Sequence, residues 1–330
     1  MIHLVLLGLT FVTTTFGGSL QQGGNPLRNP ADMALGLSYS LPLLTILLGH
    51  EMGHYYACRR HELQATLPYF IPVPPPIFLF GTLGAFIKIR TPIQNRQALL
   101  DVGVAGPLTG MVLAIPIAAI GISLSTFVPS VQTQGALMLG DSLLFAFLVR
   151  LLKGPAPVAS ELMLHPMAFA GWIGFLVTAL NLLPASQLDG GHIFYSLWPR
   201  RHRAMSRTVV IALLLLGLVA WQGWILWALI ITLMGSRHPP LAQDYAPSPF
   251  YPFHPMPGTP SGLDETRRNL GILALVVFAV TFTPQPLKIA PITHRGMQIP
   301  ELETPAPRRP PTRPLDDSWV SLSSGRKGSG

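Results

Sequence analysis

Long apolar runs with almost no charge constrain the fold of this chain more than any other feature. They lie near 1–20, 34–57, 98–125, 162–183 and 208–234. About 20 apolar residues in a helix span the hydrocarbon core of a bilayer. Only 11% of the residues are charged, against about 25% in soluble domains. The sequence therefore predicts an all-α polytopic membrane protein with about six or seven transmembrane helices.

Two of these runs allow alternative interpretations. Residues 1–20 fit a first transmembrane span better than a signal sequence, because no positively charged segment precedes them. As one helix, the run 208–234 would be about 40 Å long, which exceeds the bilayer core of about 30 Å. It is therefore either one long helix or a hairpin of two short helices that breaks at the WQGW sequence, residues 221–224.

The segment after the second run is not helical by sequence. Prolines in 68–76 exclude a regular helix, and residues 83–90 alternate in the manner of a strand. Non-helical backbone at membrane depth must be buried in protein or line a wet cavity. We expect a small re-entrant strand and loop region around 68–92.

Most of the positive charge of the chain lies beside its apolar runs and in its C-terminal tail. The net charge is +8, but the basic residues cluster beside apolar runs, at Arg59–Arg60 and Arg200–Arg203, and in a proline-rich tail. Lysine and arginine at the ends of spans mark cytoplasmic loops, so we predict contact with a lipid bilayer and not with nucleic acid. Cys58 is the single cysteine, which excludes both an intrachain disulfide and a cysteine-based zinc site.

An H-E-x-x-H motif lies inside the second run. Helical spacing places His50 and His54 on one face, where both imidazoles can bind one zinc ion, and Glu51 can take a proton from water. Ionisable groups at mid-span each cost about 2.5–3.5 kcal/mol or more. A plain structural role at a helix end near the headgroups explains three such groups less well than a metal site does.

A catalytic zinc ion needs a third protein ligand and an open fourth position. Asp189 is the best candidate, because it lies at the end of an apolar helix in the sequence NLLPASQLDGGH, where paired glycines allow close backbone approach. By itself, Asp189 followed by Gly190 also fits an ordinary turn. His192, at the end of this sequence, fits either a partner of Asp189 or an interfacial histidine.

Together the two motifs resemble the site-2 protease family of intramembrane zinc metalloproteases. The H-E-x-x-H motif is followed more than a hundred residues later by N-x-x-P-x-x-x-L-D-G-G, from Asn181 to Gly191. The stretch 81–110 is similar to the bacterial and plastid branch of the family, without a peptide-binding domain. The resemblance covers roughly 33–240.

The resemblance implies Zn²⁺ held by His50, His54 and Asp189, with Glu51 as the general base. It also implies cleavage of transmembrane protein substrates within or near a membrane span, close to the cytoplasmic side. Asn181 becomes a candidate for substrate or oxyanion binding, with a helix cap as the alternative.

The same reasoning divides the chain into four regions. They are a first transmembrane segment and loop (1–30), a metalloprotease core (31–240), a linker with a last transmembrane helix (241–290) and a disordered proline-rich tail (291–330). A bacterial inner membrane is the expected location, with a plastid membrane as the alternative. The sequence does not identify the substrate or the oligomeric state.

Two rival interpretations remain open at this point. One is a membrane zinc protease of another class with a glutamate as third ligand, although no glutamate other than Glu51 lies well inside an apolar run. The other is a non-enzymatic metal-binding membrane protein, for which an intact Glu51 would be unnecessary.

Overall fold

Apolar helices dominate the computed structural model, which describes residues 1–75, 77–78, 80–129, 137–236, 238, 241 and 262–289. The helices are α1 (Ile2–Gln21), α2 (Leu37–Arg60), α3 (Arg96–Leu124), α4 (Leu143–Lys153), α5 (Pro166–Asn181), α6 (Asp189–Leu197), α7 (His202–Val219), α8 (Gly223–Met234) and α9 (Glu265–Thr281). The strands are β1 (Tyr69–Pro72), β2 (Thr82–Phe86), β3 (Thr126–Pro129), β4 (Leu137–Leu139), β5 (Ser160–Met163) and β6 (Leu287–Ile289). They form three antiparallel pairs, β1–β2, β3–β5 and β4–β6.

Four segments of the described chain are long and apolar enough to cross a membrane. They are Ile2–Gln21, Pro30–Arg60, Arg96–Leu124 and Pro199–Val219, and the shorter α5 and α8 are also apolar. These helices confirm the prediction of a mostly helical polytopic membrane protein. Of the linker and last helix predicted at 241–290, the structure describes residues 241 and 262–289, and the tail predicted at 291–330 lies outside the described residues.

The run 208–234 is a hairpin of two helices, α7 and α8. The chain turns at 220–222, where the Trp221 ring packs over Gly223, and Ile225 packs closely over Gly217. A side chain at either glycine would collide with these neighbours. Of the two alternatives that the sequence left open, the hairpin is therefore correct.

The span predicted at 162–183 is shorter than expected. It is α5, which begins at Pro166 because His165 caps its first turn through Nδ1 and the Met167 N–H. The preceding residues extend instead along β3, and Ser160 pairs with Pro129. Leu162 and Met163 at the end of β5 are apolar, so hydropathy alone does not separate them from the helix that follows.

Small residues let α2 and α3 approach closely at the centre of the core. A Cβ on Gly53 would lie 2.5 Å from the Ala105 carbonyl oxygen, and one on Gly106 would lie 2.1 Å from Nε2 of His54. Glycine at these positions therefore permits side-chain and backbone contacts that alanine would block. Helix α5 packs against the same pair, with Gly174 against Ile46.

The non-helical segment predicted around 68–92 forms a hairpin of β1 and β2 that packs on protein. Thr13 of α1 donates its hydroxyl to the Gly81 carbonyl at 2.7 Å, and Tyr39 of α2 donates to the Phe80 carbonyl at 3.0 Å. Buried polar backbone in a membrane must find partners of this kind. The hairpin brings the end of β2 beside the motif helix α2.

A charged cluster connects α9 to the ends of α2 and α3. The Asp101 carboxylate accepts hydrogen bonds from Nε of Arg267 at 2.9 Å and from Nε2 of His61 at 2.8 Å. Arg267 also pairs with Asp264, the N-cap of α9. The backbone and guanidinium donors of Arg267 hold the pKa of Asp264 below its ordinary value. This cluster fixes the start of α9 against the helix pair that carries the first motif.

Candidate metal centre

Three helices deliver the residues of the two sequence motifs to one place. His50, Glu51 and His54 lie in the second half of α2, where all three are buried. Asn181 is the last residue of α5. A loop of seven residues, 182–188, then turns the chain so that Asp189 begins the short helix α6. Asp189 therefore starts a helix, whereas the sequence predicts it at the end of one.

The three predicted metal ligands converge. Nε2 of His50 and Nε2 of His54 are 3.1 Å apart. Oδ2 of Asp189 lies 3.4 Å from the first nitrogen and 3.2 Å from the second. They are the one group of three histidine, cysteine or acidic residues close enough to hold a metal ion in the described part of the chain.

These distances fit a tetrahedral zinc site. Ligand atoms about 2.0 Å from zinc lie about 3.3 Å from one another at tetrahedral angles. The separations of 3.1, 3.2 and 3.4 Å agree with that edge length. Two imidazoles and one carboxylate are also a donor set that zinc uses in catalytic sites, with a fourth position open. The residues present therefore fit the ion.

The backbone of α3 fixes the tautomer of one histidine. Nδ1 of His54 lies 2.8 Å from the Val102 carbonyl oxygen. A carbonyl only accepts, so Nδ1 carries the proton and Nε2 presents its lone pair to the other two donor atoms. The ring orientation is set before any metal binds.

A cavity of about 250 Å³ opens beside the three donor atoms. Glu51 lines it and is only 6% exposed. Ile87, just beyond β2, also lines the cavity. Ala85, Phe86 and Ile89 form the same wall. Glu51 thus faces the space in which a substrate backbone could lie along the strand segment.

Asn181 belongs to the same cavity. Nδ2 of its side-chain amide lies 3.1 Å from Nε2 of His50. The side chain is therefore aimed at the donor atoms, although Asn181 is also the last residue of α5. A helix-terminal position and a place beside the metal ligands are compatible here.

His192 makes a contact that the sequence did not predict. It lines the cavity, but its side-chain hydrogen bond joins Nδ1 to Nε2 of His238 at 2.8 Å, and no bond to Asp189 accompanies it in the described structure. His238 also stacks on Tyr195. His238 could not be predicted from the sequence, because it follows α8 without a motif around it.

Comparison with known proteins identifies the family. The model of peptidase family M50 matches residues 38–221. The probable zinc metalloprotease EGY1, chloroplastic, of Arabidopsis thaliana is 33% identical over 212 residues, which cover 60% of this chain and 36% of that protein. EGY2 of the same plant, also a probable zinc metalloprotease, is 29% identical over 258 residues, 76% of this chain and 42% of that protein.

The matched relatives are much longer than the region they share with this chain. EGY1 of Oryza sativa subsp. japonica is 34% identical over 184 residues, 51% of this chain and 30% of that protein. The chain thus spans about a third of the first relatives it matches. No solved structure matches the chain significantly. The family match contains both motifs and more than half of the chain, and it confirms the resemblance that the motifs predicted: the chain belongs to peptidase family M50, the site-2 protease family.

Proposed function

We propose that this chain is an intramembrane zinc metalloprotease that hydrolyses a peptide bond within or near a transmembrane segment of a membrane protein. His50, His54 and Asp189 hold the zinc ion, and Glu51 is the general base. The observation that carries the proposal is the convergence of the three donor atoms within 3.4 Å of one another beside Glu51. Family membership supports the same chemistry.

Each residue of the site has a separate role in the reaction. A bound zinc ion supplies Lewis acidity, which makes water a better acid and polarises a carbonyl. Glu51 takes the proton from the attacking water and returns it to the leaving amine. The carbonyl of Val102 holds His54 in its ligand orientation. Asn181 hydrogen-bonds the substrate carbonyl, since its amide lies beside the donor group.

The strand segment after β2 provides a site for an extended substrate. The N–H groups of Lys88 and Arg90 bond to Thr66 and Gln64, and the Lys88 carbonyl accepts from Thr66. Backbone groups alternate in direction along a strand. Ile87 and Ile89 therefore direct their N–H groups to the opposite side, and both residues line the cavity. A substrate unwound from its helix can add to this edge as a strand.

Replacement of Ile89 tests substrate pairing. Ile89→Pro removes the N–H from the edge, whereas Ile89→Val keeps the N–H and the β-branched shape. We expect the proline variant to cleave a transmembrane substrate at least tenfold more slowly and to retain its zinc, and we expect the valine variant to behave as wild type. Equal cleavage rates for proline and valine would contradict pairing at this edge.

Two rival functions are less well supported. A protease with glutamate as third ligand would need another glutamate at the cavity. Among the described residues, only Glu51 is a glutamate of the cavity wall, and Glu62, Glu161 and Glu265 lie in a turn, in β5 and at the start of α9. A non-enzymatic metal-binding protein would gain nothing from a buried Glu51.

The membrane compartment is a separate proposal. The sequence favours a bacterial inner membrane, with a plastid membrane as the alternative. The relatives EGY1 and EGY2 are named chloroplastic, which supports the plastid alternative. Fractionation of the native source, with membranes of each type probed by an antibody to this chain, would decide between them.

Reconstitution tests the activity directly. The purified chain is placed in liposomes with a single-pass substrate, and cleavage is followed with a zinc chelator and after zinc is restored. We expect cleavage to stop when the chelator is added and to return when zinc is restored. The cleaved bond should lie near the cytoplasmic end of the substrate span. Cleavage that continues at the same rate in the presence of the chelator would refute the zinc mechanism.

A further inference from the structure

The loop that carries the third ligand contains a strained residue. Ser186, three residues before Asp189, has a φ of +52°. Non-glycine residues rarely adopt this left-handed conformation, and they keep it only where the surroundings hold them. The Ser186 hydroxyl is the one buried side-chain polar atom without a hydrogen-bond partner among the described residues. The side chain of Ser186 itself therefore does not hold the loop in this conformation.

Two side chains from the first turns of α7 hold both backbone groups of Ser186. The Ser186 N–H donates to Oγ of Ser206 at 3.0 Å. Nε2 of His202 donates to the Ser186 carbonyl at 3.2 Å. His202 is 2% exposed and Ser206 is fully buried, so water does not replace these bonds. We call His202 and Ser206 the loop clamp.

The opposite side of the loop rests on the helix that Asp189 begins. A Cβ on Gly190 would lie 2.0 Å from the Leu182 carbonyl oxygen, and one on Gly191 would lie 2.4 Å from the Ser186 carbonyl oxygen. The loop backbone thus packs directly on the first turn of α6. Because the contact is between backbones, a shift at Ser186 is transmitted to Asp189.

We propose that His202 and Ser206 are positioning residues that hold Asp189 where it meets His50 and His54. This inference rests on the proposed zinc site, and it extends that site to α7, outside both sequence motifs. Neither clamp residue lines the metal cavity, and their hydrogen bonds to Ser186 connect them to the loop that carries Asp189. The clamp compensates for the strain at Ser186, which glycine would not have.

The strain supplies a specific test. Ser206→Ala leaves the buried Ser186 N–H without a partner and should weaken zinc affinity roughly tenfold. Ser186→Gly accepts the left-handed backbone without the clamp, so the double variant Ser206→Ala/Ser186→Gly should recover most of that affinity. Ser196→Ala is the matched control, because Ser196 is a buried serine of α6 whose hydroxyl donates to the His192 carbonyl of its own helix.

Zinc affinity of the detergent-purified full chain is measured by competition with a chromogenic chelator, with folding followed by circular dichroism. We expect weaker binding in Ser206→Ala, recovery in the double variant and no change in Ser196→Ala. Wild-type affinity in folded Ser206→Ala, or a loss that Ser186→Gly does not restore, would overturn the clamp. If Ser206→Ala does not fold, His202→Phe with and without Ser186→Gly provides the same comparison. Failure of the wild type to bind zinc would instead refute the proposed function.

Discussion

Nε2 of His54 and Oδ2 of Asp189 lie 3.2 Å apart, although they belong to motifs near opposite ends of the family region. The contact joins the middle of a long membrane helix to the first residue of a short one. It depends on a close approach of α2 to α3 and on a tightly turned loop between α5 and α6.

Gly106 should be essential for the position of His54. A Cβ at Gly106 would lie 2.1 Å from Nε2 of His54, whereas one at Gly110 would lie 3.3 Å from Nδ1 of His50 and one at Gly8 would contact nothing. Gly106→Ala should therefore abolish zinc binding, Gly110→Ala should weaken it slightly and Gly8→Ala should leave it unchanged. Zinc titration of the three folded variants checks this order, and full zinc binding by Gly106→Ala would contradict the packing.

Glu51 should be needed for catalysis but not for zinc. Glu51→Gln keeps the size of the side chain and removes the base, so cleavage should fall by roughly 10²–10⁴-fold, while zinc content stays at the wild-type level. Glu62→Gln is the control, since Glu62 lies in the turn after α2. Cleavage of a reconstituted substrate and elemental analysis measure the two properties. A Glu51→Gln variant that cleaves normally would remove the general base from the mechanism.

Asn181 should affect turnover more than substrate affinity. If its amide stabilises developing charge on the substrate carbonyl, Asn181→Ala should lower kcat by roughly 10²-fold with zinc content unchanged. A purely structural role at the end of α5 would lower the unfolding temperature and leave kcat of the folded enzyme intact. Steady-state cleavage and thermal unfolding of the same preparation separate the two roles. An unchanged kcat would assign Asn181 to the helix end.

The ion pair of Arg267 and Asp101 should contribute modestly to stability. The Arg267 side chain is 25% exposed and the Asp101 side chain is 20% exposed. Screening by solvent therefore limits the contribution of the pair to the free energy of unfolding to about 1 kcal/mol or less. We expect Arg267→Ala and Asp101→Asn each to lower the unfolding midpoint in detergent, and the double variant to lower it by less than their sum. Strict additivity of the two losses would show that the pair does not couple α9 to α3.

The convergence of the candidate ligands could be predicted in part from the sequence, because the spacing of the first motif is local. Helical spacing alone puts His50 and His54 on one face, and membrane burial makes ionisable residues conspicuous. Asp189 required the second motif, because a residue far along the chain gives no sign by itself of what it contacts. The hairpin of α7 and α8 stayed undecided, since its break depends on the packing of Trp221 and Ile225 on glycines.

Other features could not be predicted from the sequence. His238 and the loop clamp act through contacts that only the tertiary fold creates, and no motif surrounds them. The partnership of Asp101 with Arg267 likewise requires α9 to return to the start of α3. Helix α5 begins later than the sequence predicts, because Leu162 and Met163 at the end of β5 are as apolar as the helix that follows.

The central claim is that two distant motifs form one zinc site, and the zinc content of folded Asp189→Asn tests it most directly. Elemental mass spectrometry of the detergent-purified chain should give one zinc per wild-type molecule and a sharply reduced amount in the variant, because an amide is a much weaker ligand than a carboxylate. A folded Asp189→Asn variant that keeps its full zinc would contradict the account.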